Sequence, residues 1–395
     1  MKWIVFFLLF SLVFLSGPQL ERETVQKDPN GQRNPAAEKN CADIIATFYS
    51  KERNHRFLET RIASAKTDLH LFYRSFPPLF YKMAEDLKWK NHFKKVSETV
   101  AVMAGDAHME NFGLRYHNGD LRLSVNDFDD VTNGPVFMDV LRLLGSANLA
   151  GVDVDEKLID DVLKSYRKGL KEKEWTYSSS VEDLFKKSVK ADELDKKYID
   201  QKNARFLAKK TPATDIQKSE LEKWENVFKD IGEIKDSYLY IKQNGGSAGL
   251  KRFQFLLEKD GKLTWIEAKE WSRPSYNAGT VVTNSAVPSD LKRFEMISTY
   301  DQPNVPSRMA KINGTTFFIR QIDDRQKGVS LADLSAKKME DVLNDEAYSL
   351  GVFHSTFLSH SKDFENIVEQ NVEASDVKDF VFALTQKIKE AQQSL

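Results

Sequence analysis

"AGDAHMENFG" (residues 104–113) and, close behind it, "NDFDD" (residues 126–130) decide how this chain is read. The first is a turn bounded by Gly105 and Gly113, with Asp106 five residues before Asn111. An aspartate and an asparagine at that spacing suit two tasks at once. The carboxylate accepts a proton from a hydroxyl, and the amide oxygen coordinates magnesium. Asp127, set in an apolar run, is the natural second metal ligand, with Asp129 as a supporting or second-metal carboxylate. Magnesium takes hard oxygen donors and keeps some waters, so a carboxylate, an amide and substrate phosphates suffice. The plainer alternative is a capped turn followed by a hydrogen-bonded strand end. His108 lies within the turn and orients either the loop or a phosphate. The seven histidines are scattered without zinc-ligand spacing, and His354 in "LGVFHSTFLSH" reads as a packing residue.

Working outward, "GPVFMDVLRLLGS" (134–146) reads as a buried helix starting near Met138. Asp139 sits where a carboxylate either caps the helix or organises the neighbouring loop. Arg142 has the position to pair with a buried carboxylate. Far downstream, "NGGSAG" (244–249) lies between two strand-like runs. Gly245, Gly246, Ser247 and Gly249 would let backbone amides approach a phosphate, or form a flexible hairpin. Lys269, in "WIEAKEW", sits on the third strand flanked by Ile266 and Ala268, with a cleft-facing role towards phosphates as the sharper reading and solvation as the plainer one.

The rest of the chain bounds these readings. Its 395 residues, 41% hydrophobic, are enough for two lobes and a sizeable core. The 58 basic and 59 acidic residues nearly cancel, which argues against nucleic acid as a partner. Cys41 stands alone, excluding an internal disulfide and a cysteine-based zinc site. An apolar run from Trp3 to Leu15 follows Lys2 and suits a secretory signal core, with an uncleaved membrane anchor as the alternative. This predicts an exported protein, periplasmic or extracellular, that touches membrane only through residues 1–17. Residues 18–40 read as a flexible tether.

From Cys41 to about Trp89 the apolar spacing is helical. Strand-like runs fall at "TVAVM", at "DLRLSV", and at "YLYIKQN", "LKRFQFLLEK", "KLTWIEAKEW" and "GTTFFIRQI", with Asp260-Gly261 as a hairpin turn. Residues 152–235 are heavily charged and predicted to be exposed helices without strands; 286–299 and 331–395 also read as helical.

"GDAHMENFG", "NDFDD", "GPVFMDVLRLLGS", "GGSAGLKRF", "WIEAKEW" and "FFIRQIDD" resemble, in this order, the bacterial family called domain of unknown function 2252. That family is similar to the protein kinase and aminoglycoside phosphotransferase superfamily. The resemblance implies that Asp106 and Asn111 form the catalytic loop, that Asp127 is the metal-binding aspartate, and that Asp139 matches the aspartate opening the next helix. Kinases place the glycine loop and strand lysine before the catalytic loop, whereas here they follow it. The expected fold is therefore α+β, a two-lobed kinase-like fold in circularly permuted order. Its parts would be a helical catalytic lobe at 41–237, a β-rich nucleotide lobe at 238–325 and terminal helices at 326–395. Glu110 stands beside Asn111 as a further ligand or as an unfavourable charge near phosphates, and Glu295 is a candidate partner for Lys269. The expected activity is phosphoryl transfer with ATP and magnesium to an unidentified acceptor, a small molecule or a protein. A non-catalytic binding module, a nucleotidyltransferase and a metal-dependent phosphohydrolase are the alternatives.

Overall fold

The computed structural model describes residues 41–50, 58–117, 120–191, 197–243, 247–272, 274–276, 288–301, 303, 305–323, 325–332 and 334–395. The expected export segment and tether, like Gly245 and Gly246, lie outside the described residues. Among the described residues no helix is long and apolar enough to cross a membrane.

The first elements are helices Cys41–Ser50, Leu58–Ala65, Leu69–Ser75 and Pro77–Asp86. Asp68 starts the third by accepting the Leu71 N–H at 2.8 Å, which satisfies one orphan donor of the first turn. Phe72, Phe76 and Phe80, four residues apart, are all buried in one core. Strands β1 (Val100–Met103), β2 (Phe112–His117), β3 (Asp120–Val125) and β4 (Thr132–Pro135) then form two antiparallel ribbons, β1 with β4 and β2 with β3. Helix Phe137–Leu149 follows and is buried on nearly every side, as a helix apolar all round must be.

The long helix Ala336–Phe357 packs along helix Glu156–Leu170. They meet at two glycines. A Cβ on Gly351 would lie 2.2 Å from the Tyr166 carbonyl oxygen, and one on Gly169 2.1 Å from that of Tyr348. Only glycine permits this backbone approach. Helices Ser361–Asn371 and Ala374–Gln393 complete the helical core.

The remaining strands are β5 (Ile199–Asp200), β6 (Arg205–Phe206), β7 (Ala213–Thr214), β8 (Glu233–Ile241), β9 (Lys251–Lys259), β10 (Lys262–Glu270), β11 (Arg308–Ile312) and β12 (Thr315–Gln321). Six of them form an antiparallel sheet in the order β11-β12-β10-β9-β8-β7. Asp260-Gly261 turns β9 into β10 with φ of 50° and 73°, the left-handed pair that a two-residue hairpin needs. Asn313-Gly314 does the same between β11 and β12, with φ of 51° and 77°. Strand alternation gives the sheet two faces. Ile266 and Ala268 of β10 face a core with Phe253, Phe255 and Phe317, while Trp265 joins Tyr238, Tyr240 and Leu256 in another. Lys269 and Glu267 share the side of Trp265 by the same alternation.

The fold is α+β, as expected, but the charged region departs from its reading. Residues 152–235 are not simply exposed helices. Helix Lys218–Phe228 inserts Trp224, fully buried, among Phe228, Phe253, Phe255 and Phe317 at ring distances of 5.8, 5.2, 5.1 and 5.2 Å. Strands β5, β6 and β7 also arise here, each only two residues long and so without a readable period. The boundary expected at 238 consequently falls inside β8, and the sheet's covering elements come from before it. Trp224→Ala should cost about 3–5 kcal/mol of stability through the cavity it leaves. Urea unfolding measured by fluorescence of the other tryptophans checks this.

Candidate active site

The loop between β1 and β2 carries the first motif. Gly105 has φ +78°, and a Cβ there would lie 2.1 Å from the Asp130 carbonyl oxygen, so the turn admits no side chain. Asp139 braces this loop from the helix below it. Its Oδ2 accepts the Ala104 N–H at 2.6 Å and its Oδ1 the Gly105 N–H at 3.0 Å. His354 Nε2 lies 3.0 Å from Asp139 Oδ2, and His354 Nδ1 lies 2.7 Å from the Tyr166 hydroxyl. A carboxylate accepts, so Nε2 donates to Asp139 and Nδ1 receives the tyrosine proton. Of the two roles open to Asp139, loop organisation is the one its contacts describe. His354 is fully buried, and its packing position also serves this hydrogen-bonded chain.

Asp106 emerges from the braced loop. Its Oδ1 accepts from Arg142 Nε at 2.8 Å and from Arg142 Nη2 as well. Arg142 is itself buried, with its guanidinium 4.5 Å from the centre of the Tyr73 ring. Burial raises the Asp106 carboxyl to about 7 against the opposing pull of Arg142, with Asp130 and Asp127 adding to the rise. The Arg142 contact itself favours the charged form of both partners, so desolvation is what decides the direction. His108 Nε2 is 3.7 Å from Asp106 Oδ2, too long for a hydrogen bond. Burial, Arg74 and Arg142 push the His108 imidazole well below its usual range, so it is neutral at pH 7.

Asn111 joins the two motifs. Its Oδ1 accepts the Asp127 N–H at 2.9 Å, while its Nδ2 donates to the carbonyls of Asp106 at 2.9 Å and Asp127 at 3.3 Å. The amide oxygen keeps one lone pair for a metal. Lys269 arrives from β10, with Nζ 2.9 and 2.7 Å from the two oxygens of Asp127 and in contact with Asp129 Oδ2. Burial works to raise the Asp127 carboxyl, and Lys269, Arg320 and Arg252 overcome it, holding it well below the usual carboxylate range. Burial and the Asp127 charge push Asp129 up to about 6. One ammonium serves two carboxylates and holds only one of them firmly ionised.

These groups surround a cavity of about 190 Å³ whose wall includes Tyr49, Asp106, Asn111, Asp127, Lys242 and Ser247. Ser247 Oγ accepts from Arg252 Nη2 at 2.9 Å, and the Gly249 N–H is spent on the Lys242 carbonyl at 2.8 Å. Gly249 has φ +88° and shapes the turn. Glu110 is held by Arg74, which fixes the carboxylate at the cavity edge. Glu295 pairs with Lys292 at 3.2 Å on an exposed helix face, and the acidic partners of Lys269 are Asp127 and Asp129. The helix glutamate was the wrong partner because two loop carboxylates already occupy the lysine.

Among the described residues no three His, Cys, Asp or Glu side chains form a ready metal shell. A magnesium ion that takes its other ligands from phosphates and water still fits Asp127, Asn111 and Asp129. Lys242 escaped sequence reasoning, since a lysine at a strand end usually reads as solvated. So did Tyr49 and the Arg74–Glu110 pair. Asp139→Ala should destabilise the protein by about 3 kcal/mol or more, because two buried N–H groups lose their acceptor. Thermal unfolding beside Asp139→Asn, which keeps one acceptor oxygen, measures that loss.

No curated protein and no solved structure matches the chain. A family model does match, over a segment that contains Asp106, Asn111, Asp127 and Asp139 and ends before Lys269. Over residues 53–245 the chain matches the model of the family described as "Uncharacterized protein conserved in bacteria (DUF2252)", the same family that its motifs resemble.

Proposed function

We propose that this protein is an ATP- and magnesium-dependent phosphotransferase on a two-lobed, kinase-like scaffold encoded in permuted order. The observation that carries the reading is the contact of Lys269 with Asp127 across 142 residues of sequence. It sets a sheet lysine behind Asp127, a loop carboxylate that lines the same cavity as Asp106 and Asn111. Kinases use the same groups: a glycine-rich loop over the phosphates, a lysine on the third strand, and an aspartate and an asparagine for metal. Here the turn at 247–249 lies between β8 and β9, and Lys269 lies on β10, the third strand of that run. The helix Ala336–Phe357, which the permuted order sets ahead of the catalytic loop, packs against β1 and supplies His354 to the loop's brace.

The chemistry follows from positioning and charge. An acceptor hydroxyl oxygen bonds to the γ-phosphorus, the bond to the β,γ-bridging oxygen breaks, and ADP leaves. Asp106 takes the hydroxyl proton, and Arg142 fixes the direction of its carboxylate. Asp127 and Asn111, with Asp129 beside them, would hold magnesium, which supplies positive charge to the phosphates. Lys269 keeps the two carboxylates in place.

Calorimetric titration with ATP should show binding that requires magnesium and weakens about tenfold or more in Asp127→Asn and in Lys269→Ala. Absence of binding at millimolar ATP would overturn the reading. The base works only when ionised, and burial places the Asp106 carboxyl at about 7. Magnesium-dependent ADP release should therefore climb as pH rises through 7 and fall by roughly 10²–10⁴ in Asp106→Asn. A flat profile from pH 5 to 9 would argue against Asp106 as the base.

A further inference from the structure

We propose that Lys242, backed by Arg61 behind the Ser247–Gly249 turn, contacts the nucleotide's phosphate chain directly, leaving Lys269 to hold the carboxylates. This inference rests on the nucleotide reading above and assigns a phosphate-binding residue within it.

The other cations near the cavity wall are committed. Lys269 is taken by Asp127 and Asp129, Arg142 by Asp106, and Arg74 by Glu110. The Lys269 side chain is only 3% exposed and sits against the carboxylates that form the wall. Lys242 lines the cavity itself, and among the described residues no carboxylate forms an ion pair with its ammonium, though Asp127 on the same wall attracts it. Burial lowers that ammonium to about 8, which leaves it mostly charged at pH 7.

Arg61 adds a second positive charge behind the same turn, one without an ion pair among the described residues. It is buried, donates from Nη2 to the Ala248 carbonyl at 2.7 Å, and stacks 4.5 Å from the centre of the Tyr49 ring. Its Nε and Nη1 find no acceptor among the described residues. A guanidinium buried without a counter-ion is costly, and its field favours an anion nearby. Tyr49, Lys242 and Ser247 all border the cavity, so this positive end opens onto the space that Asp127 and Asp129 border as well. An elongated, multiply charged anion answers both ends: its free phosphate oxygens would meet Lys242, and a magnesium ion held by its other oxygens would face the carboxylates. Arg61 acts through the turn as a positioning residue, whereas Lys242 touches the phosphate.

The test is calorimetric titration of magnesium-ATP into the wild-type chain, Lys242→Ala and Lys242→Arg, with thermal unfolding of each as the folding control. The expected result is a loss of about tenfold or more in affinity for Lys242→Ala, recovery to within roughly threefold for Lys242→Arg, and unchanged unfolding temperatures. ATP binding by Lys242→Ala equal to wild type overturns this proposal and leaves the nucleotide reading standing. An equal loss in Lys242→Arg overturns it too, since a retained charge would then make no difference. Failure of the wild type to bind ATP overturns both.

Discussion

An ammonium buried against two carboxylates stays there unless another anion replaces them, and the site depends on that constraint. Lys269 reaches Asp127 and Asp129 because the alternation of β10 turns Ile266 and Ala268 into the sheet core and Lys269 to the other side. The two carboxylates separate in behaviour, Asp127 held ionised and Asp129 pushed up by its neighbour's charge. Lys269, helped by Arg320 and Arg252, holds Asp127 ionised yet leaves Asp129 raised. In the proposed reading a divalent cation would complete the pair, and phosphates would balance the charge of that cation.

The opposite wall depends on a second constraint, the need of buried backbone donors for acceptors. Ala104 and Gly105 point their N–H groups at Asp139, and Asp139 is fixed by His354 from 215 residues further along the chain. Arg293 works in the same way for the second motif. It donates to the Val131 carbonyl at 3.1 Å and the Ser272 carbonyl at 2.9 Å, with Trp271 4.5 Å beneath it. Each of the two motif loops is therefore held by side chains from distant segments. The family match ends at residue 245, yet Arg293 and His354 lie beyond it, so the matched segment does not contain the whole support of its own loops.

Parts of this were legible in the sequence. The alternation in "DLRLSV" marked β3, and Asp260-Gly261 marked a hairpin that the backbone forms with both residues left-handed. That Lys269 and Asp127 belong to one site followed from the motifs that carry the family resemblance, although the expected partner of the lysine was Glu295. What stayed hidden was partner choice. Nothing local indicates that the oxygen of Asn111 caps the Asp127 amide, that Asp106 is the carboxylate Arg142 finds, or that His354 reaches Asp139. Each is a contact between segments whose spacing carries no signal. The strand β11 had a usable sign in Asn313-Gly314, whereas β5 to β7 had none, being too short for a period. Trp224, one large ring amid charges in "KSELEKWENVF", was the clue that this helix covers a sheet.

The most direct test is a crystal structure of the protein with magnesium and a non-hydrolysable ATP analogue. The account predicts the phosphate chain in the cavity between Lys242 and Asp127, with the metal on the oxygens of Asp127 and Asn111 and the γ-phosphate facing Asp106. A nucleotide bound elsewhere, or one whose γ-phosphate points away from Asp106 with the metal off Asp127, would contradict it.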